Sequence, residues 1–437
     1  MGAMPLYRND APGQYPPSWY VRTTDLPHRP RPRLEGGIRA DLCVIGAGYT
    51  GLWAALTAAR AGLKVVVVEA HRAGFGASGR NGGQVHSGFN KPQSWLETRL
   101  GADTARALWE LSEDGKASLR NFCASHAPET LFRPGIAHGE YDAAEVEAAK
   151  AEADFLNDRY GYDRIEMLDR DGIRSLVKTE SYVAGQIDRG AGHLHPMRYC
   201  AALARAAETA GADIHELTEA TGIVHGDPAT VTTPRGRVVA DHVIIAGNGY
   251  LPGIEPKVAA RVMPINSFIG ATEPMGERWR DVLAEDIAVA DSKFVVNYYR
   301  FTEDRRFLFG GRESYSIGYP KEIAPALVAR MRALFPQMAD VEVESVWGGT
   351  LGITVTRLPH LARVAPNVLS GAGFSGHGVS LAGLSGRAMA EAVIGQAGRF
   401  DVLSQLPVPR FPGGARLRAP LLTLAMTWFA LRDRLGI

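Results

Sequence analysis

From Ala40 onward the chain reads as strand, glycine turn, helix and strand, ADLCVIGAGYTGLWAALTAARAGLKVVVVEA. Its two apolar runs, Asp41 to Ile45 and Lys64 to Val68, lack the alternation of a half-exposed strand, as parallel strands covered on both faces do. Between them Leu52, Ala55, Leu56 and Ala59 recur at helical spacing, so the pattern predicts a βαβ unit. Further strand-like runs come much later: DIHEL near residue 215, a hairpin-like ATVTTPRGRVVA, DHVIIAGNGY, and NVLSGAGFSGHGVS, which passes into an alanine-rich helix through Met389 and Ala392. A sheet assembled from segments this far apart implies an insertion between them. The charged helical stretch from Gly115 to Arg189 and the β-rich stretch from Val262 to Trp347 are the candidates.

The expected organisation is therefore an N-terminal arm lying on the surface (1–35), a discontinuous first domain (36–112, 190–256 and 348–400), a second domain (113–189 and 257–347) and a C-terminal helical tail (401–437). The 48 Lys and Arg balance 47 Asp and Glu, so no charge footprint points to nucleic acid or an anionic membrane, and a small molecule is the expected partner. The three cysteines, Cys43, Cys123 and Cys200, are far apart with no C-x-x-C spacing, which argues against a zinc site or a disulfide framework and for a reducing, cytoplasmic setting. The Pro- and Arg-rich start lacks the apolar run of a signal peptide. Leu421 to Leu431 is too short to span a bilayer and reads as a packed amphipathic helix.

Gly46-Ala47-Gly48-Tyr49-Thr50-Gly51 satisfies G-x-G-x-x-G between a strand and a helix. Gly46 permits the tight turn, Gly48 admits a pyrophosphate against the backbone, and Gly51 lets helix and strand pack closely. The helix N-terminus then faces the phosphates. Glu69 ends the second strand, where a carboxylate accepts from ribose hydroxyls and repels a 2′-phosphate, disfavouring NADP. The run Gly74 to Gln84 carries five glycines, too many for a regular element, and offers backbone N–H groups together with Ser78, Arg80 and Asn81 as donors to phosphate or to flavin oxygens. Gly371-Ala-Gly373-Phe374-Ser375-Gly376-His377-Gly378 is a third strand-to-helix glycine turn, whose helix start suits the pyrimidine edge of a reduced flavin. NAD enzymes have no need of it, so FAD is favoured over NAD.

The stretches VIGAGYTGL (44 to 52), GFGASGRNGGQ (74 to 84), PINSFIGATEP (264 to 274), YYRFTEDRRFLFGG (298 to 311) and GAGFSGHGVSLAGLSG (371 to 386) resemble the D-amino-acid oxidase (DAO) superfamily of flavoproteins, in particular its glycine/sarcosine oxidase-like and γ-glutamylputrescine oxidoreductase-like members. ASGRNGGQ and the C-terminal PGG…LR…DRLG ending are most similar to the γ-glutamylputrescine branch. The resemblance implies a fold of α/β plus α+β class: a Rossmann-like FAD-binding domain with an inserted substrate domain built on an antiparallel β-sheet. It places the pyrophosphate at residues 46–51 and the adenosine ribose at Glu69 and Ala70. Ala77, Ser78, Gly79, Arg80, Asn81, Gly82, Gly83 and Gln84 would meet the diphosphate and ring, and Ala220 the adenine. Gly247 is a further cofactor contact, and Gly373 to Gly378 lie by the ring's pyrimidine edge. Two departures matter. Gly349 to Pro359 contains no cysteine, so the FAD is expected to be non-covalent, with His86 as the alternative tether. Ser380 stands where sarcosine oxidases carry a lysine, which disfavours plain sarcosine.

Flavin-dependent amine oxidation needs the substrate carbon about 3 to 3.5 Å from N5 and the amine unprotonated; hydride transfer then gives an imine that hydrolyses to a carbonyl compound plus amine or ammonia. Oxygen or another acceptor takes the electrons. Candidate substrate-site residues are Tyr298, Tyr299, Arg300, Trp347, Thr354 and His377. Tyr298 and Arg300 share one strand face and Tyr299 takes the other. Arg300 either clamps a carboxylate remote from the amine or holds a structural ion pair. Tyr299 and Trp347 also suit core packing, and His377 suits either the flavin edge or proton transfer. The substrate is γ-glutamylputrescine or another primary amine, or else a secondary amino acid such as iminodiacetate or an N-methyl amino acid. An NAD-dependent dehydrogenase and a non-catalytic flavoprotein are the readings outside this class.

Overall fold

The computed structural model describes residues 8–412, apart from 252, 294 and 315–317. The helix expected over Leu421 to Leu431 lies outside the described residues.

The apolar runs form the centre of a parallel sheet. Its strands lie in the order His360–Ala365, Val368–Ala372, Gly236–Ile245, Gly36–Ile45, Val65–Val68 and Asp213–His215, parallel except for the first, an antiparallel edge. Leu42, Val44, Val65 and Val67 point into one buried cluster, under the helices Tyr49–Arg60, Pro196–Thr209 and Gly378–Val393. Cys43, Ile45, Val66 and Val68 point into a second cluster on the opposite face. Burial on both sides is why these strands show no alternation. The ATVTTPRGRVVA segment is a hairpin, Ala229–Thr232 antiparallel to the start of Gly236–Ile245.

The second sheet has nine strands, ordered Val343–Ile353, Met263–Pro274, Arg306–Ser314, Tyr298–Phe301, Ala288–Asp291, Arg133–Glu140, Ala184–His193 and Gln84–Val85, with Ile165–Leu168 on the flank of Ala184–His193. All its pairings are antiparallel except Ala288–Asp291 with Arg133–Glu140. The charged stretch expected to be helical thus also contributes three strands to this sheet. The expected seams fall inside elements. Helix Ala102–His126 runs through 112/113 with Leu108, Leu119 and Phe122 in the first sheet's core, while strands Ala184–His193 and Val343–Ile353 cross 189/190 and 347/348.

The N-terminal arm does not simply lie on the surface, as expected from its Pro and Arg content. Ser18 caps a short helix, Trp19–Arg22, by accepting from Val21 N, and Trp19 and Tyr20 are buried among Met197, Ile269, Leu308 and Trp347. On one side the arm meets the first domain, with Tyr15 Oη donating to Ala73 O (2.7 Å) and Leu34 N to Thr218 Oγ1 (3.0 Å). On the other it meets the second sheet, with Arg22 Nη2 on Ser345 Oγ (3.2 Å). Apolar side chains interleaved with the Pro and Arg residues give the arm a buried face that composition alone conceals. No helix among the described residues is long and apolar enough to cross a membrane.

Candidate active site

The first strand ends at Gly46, whose φ of 106° turns the chain into helix Tyr49–Arg60. A Cβ on Gly51 would lie 1.8 Å from Gly46 O, so only glycine lets the helix sit this close beneath the turn. At Gly48 the nearest atom to such a Cβ is Ser78 Oγ, 2.8 Å away; that same oxygen accepts from Tyr49 N (2.9 Å) and folds the second glycine loop over the helix start. Glu69 accepts from Ala47 N (2.7 Å) and His71 N (2.9 Å), and burial, only partly offset by these amides, pushes its carboxyl up to about 7.

A cavity of about 780 Å³ runs from this turn to the face of the second sheet. Of the sequence-derived residues, its wall takes Gly46, Gly48, Tyr49, Thr50, Glu69, Ala70, Ala77, Ser78, Arg80, Asn81, Gly82, Gln84, Ala220, Gly247, Tyr298, Thr354, Phe374, Ser375, Gly376, His377 and Gly378. Ala47, Gly51, Gly79, Gly83, Gly373, Tyr299, Arg300 and Trp347 are not on it. The glycines among these shape turns behind the wall: a Cβ on Gly79 would meet Gly74 O at 2.2 Å and one on Gly83 would meet Leu194 O at 2.1 Å.

The loop 80–84 is held from behind. Arg80 donates from Nε to Phe75 O (2.6 Å) and from Nη1 to Gly348 O (2.9 Å) and Asp10 (3.2 Å), leaving Nη2 buried without a partner among the described residues. Asn81, expected as a donor to ligand, instead staples the loop, donating to Ala77 O (3.0 Å) and Ser78 O (2.9 Å) and accepting from Gly83 N (2.8 Å). Trp347 is buried, with Nε1 on Arg80 O (3.0 Å). Arg300 shares the strand face of Tyr298 but does not reach the cavity. Its guanidinium bonds Gly82 O (2.7 Å), Leu194 O (3.1 Å), Phe301 O (3.2 Å) and Tyr20 Oη (3.2 Å), so it caps backbone carbonyls behind the wall, away from the place a carboxylate clamp would need, and among the described residues it forms no ion pair.

On the second sheet His138, Ala290, Tyr298 and Gly310 form one cross-strand row, of which His138, Ala290 and Tyr298 line the cavity. The Tyr298 ring lies over Gly310, where a Cβ would sit 2.1 Å from Tyr298 Cζ, and its hydroxyl is 3.2 Å from Ser267 Oγ. Tyr299 points to the opposite face, in a cluster with Phe307, Phe309 and Phe335, and bonds Tyr182 Oη at 2.9 Å. Thr354 lines the wall but donates to Leu358 O (2.7 Å), fixing the turn beside Ser375. At this end the rings of His86 and His377 pack with centroids 4.6 Å apart; burial pushes His377 down to about 4 and His86 well below the usual imidazole range. Sequence reasoning missed His138, Asn90, Asn248 and Tyr250 on the wall. For Asn248, which accepts from Gly373 N (2.9 Å), the polar end of DHVIIAGNGY was an available signal; for His138 nothing local was.

Comparison with known proteins gives the same picture. A family model, DAO, described as FAD dependent oxidoreductase, matches residues 41–392. The chain is 41% identical over 419 residues to the probable oxidoreductase OrdL of Rhizobium meliloti, covering 95% of this chain and 97% of that protein. It is 36% identical over 425 residues to the gamma-glutamylputrescine oxidoreductase of Escherichia coli, covering 96% and 99%. The glycine oxidase structure from Geobacillus kaustophilus shares the fold, with a TM-score of 0.70 at 20% identity over 86% of this chain and 100% of that one. With the glycine turns, the two sheets and the cavity between them, these matches establish that the chain belongs to the DAO family of FAD-dependent oxidoreductases.

Proposed function

We propose that this oxidoreductase oxidises the carbon–nitrogen bond of a small primary amine of the γ-glutamylputrescine kind. The observation that carries the reading is one continuous cavity that passes from the glycine turn at Gly46–Gly51 into a chamber floored by the His138–Tyr298 row, in a chain similar along nearly its whole length to a gamma-glutamylputrescine oxidoreductase.

The residues fit FAD. The helix start at Gly48 lies on the wall with the positive end of its dipole, the buried Nη2 of Arg80 lacks a partner among the described residues, and Glu69 stands where ribose hydroxyls would relieve its desolvation. All three cysteines are buried and off the wall, which supports non-covalent retention. When bound, FAD supplies the acceptor for two electrons as a hydride. This chain's part is to hold the amine carbon against the ring, with Tyr298 as a wall fixed by Gly310 and Ser267, and to exclude bulk water from the chamber. The substrate loses a hydride from carbon and a proton from nitrogen; the imine adds water and releases ammonia and an aldehyde. Arg300 is engaged with backbone carbonyls off the wall, so the arginine that a substrate carboxylate would meet in the chamber is Arg357.

The test is anaerobic addition of γ-glutamylputrescine, putrescine, N-methylglycine, iminodiacetate and D-alanine to the purified yellow protein. Bleaching by γ-glutamylputrescine, with colour restored by air or an added acceptor, is expected. Bleaching by the amino acids alone would replace this reading with a secondary amino acid or D-amino acid oxidase.

A further inference from the structure

Gln84 and His86 flank Val85 at the end of the short strand Gln84–Val85, and both line the chamber. Gln84 Nε2 donates to Val289 O (2.9 Å), so the end of the amide that meets His86 is Oε1, 3.0 Å from His86 Nε2. An amide oxygen only accepts, so Nε2 carries the ring's hydrogen and Nδ1 is left with its lone pair. No described protein atom hydrogen-bonds Nδ1. Three groups bear on the ring: His377 from the turn before helix Gly378–Val393, His138 from strand Arg133–Glu140, and Lys116 from helix Ala102–His126, itself paired with Glu113 at 2.9 Å. None is a carboxylate, and all oppose a positive charge there, adding to the larger effect of burial.

The other acidic groups on the wall are differently placed. Asp291 gives its oxygens to Asn297 N (2.9 Å), Asn297 Nδ2 (2.6 Å), Tyr141 Oη (2.8 Å) and Lys293 N (3.3 Å). Glu69 is engaged at the phosphate end, and Glu219, the third acidic residue on the wall, adjoins Ala220 at that same end, away from His86.

We propose that His86 Nδ1 is the acceptor that takes the N–H of the substrate amine and aims its nitrogen lone pair. The assignment rests on the amine reading above. A neutral acceptor with no free carboxylate beside it does not compensate a desolvated ammonium, so the chamber takes the free base, the form from which hydride can leave. The acid limb of kcat/KM then belongs to the amine and not to His86: kcat/KM should rise about tenfold per pH unit until the amine's own pKa is reached.

Two measurements on the holoenzyme test this. In protein labelled with ¹⁵N-histidine, with His86→Asn identifying the signal, His86 should show a neutral Nε2–H ring from about pH 8 down to about pH 6. His86→Leu should lower kcat/KM for γ-glutamylputrescine about tenfold to a hundredfold at unchanged FAD content, and His86→Asn, which keeps an acceptor oxygen near the Nδ1 position, should recover most of that loss. An Nδ1–H or cationic ring at neutral pH overturns the proposal, as does His86→Leu with unaltered kcat/KM on an enzyme that the amine reduces. If no amine reduces the wild-type flavin, the amine reading itself falls and this assignment with it, so the two failures are told apart.

Discussion

Replacing Arg300 by Met removes the donor of four hydrogen bonds, to Gly82 O, Leu194 O, Phe301 O and Tyr20 Oη, at a site where the side chain is buried. Met has similar length and leaves little cavity, so the loss is polar. Each buried group left without a partner costs about 1 to 3 kcal/mol, and with some relaxation the total is about 4 kcal/mol of stability. Gly82 lies on the cavity wall, so part of this falls on the loop beside the flavin. If half does, FAD affinity drops by about 2 kcal/mol, or about thirtyfold. The assay pairs the flavin-to-protein ratio and FAD dissociation constant with urea unfolding, and with KM for amines that do and do not carry a carboxylate. Arg300→Lys, able to restore one or two of the bonds, should fall between. A variant with full flavin, unaltered stability and a raised KM for the carboxylated amine alone would place the guanidinium in the chamber and refute the reasoning.

Gly51→Ala forces its Cβ and Gly46 O, 1.8 Å apart as built, to separate by more than an ångström. We expect at least the 1 to 3 kcal/mol typical of overpacking, about, together with loss of retained flavin, whereas Gly48→Ala should be milder because Ser78 Oγ can rotate away; equal flavin content in both would contradict this. Glu69 titrates at about 7 in the folded chain against 4.5 ordinarily. Because the folded value is the higher, its contribution to apoprotein stability is fully present below about pH 4.5 and is lost, by about 3 kcal/mol, as pH rises through about 7. Unfolding of wild type and Glu69→Gln across this window should show the variant gaining relative stability with pH, and parallel pH profiles would show that the carboxyl is not desolvated.

The features legible in the sequence were those whose cause is local. Gly46 and Gly51 answer to a turn and a close approach within a few residues, and the unalternating VVVV strand reports burial on both faces wherever its neighbours come from. The strand face shared by Tyr298 and Arg300 was likewise legible, since alternation is local. What those side chains touch was not. Arg300 meets Tyr20 and Gly82 across hundreds of residues, and Asn81 looked like a ligand donor because its real acceptors, Ala77 O and Ser78 O, are backbone atoms that no residue identity announces. His138 enters the chamber only because its strand pairs with Ala288–Asp291, a register set by the assembled sheet.

The wedge formed by Trp19 and Tyr20 also orders events during synthesis. Its contacts include Asp304, Arg300 and Trp347, so this segment has no complete seat until some three hundred further residues have been made and folded. Two large aromatic side chains therefore wait partly exposed on the nascent chain, and a joint between the two sheets closes with a piece made well before its partners.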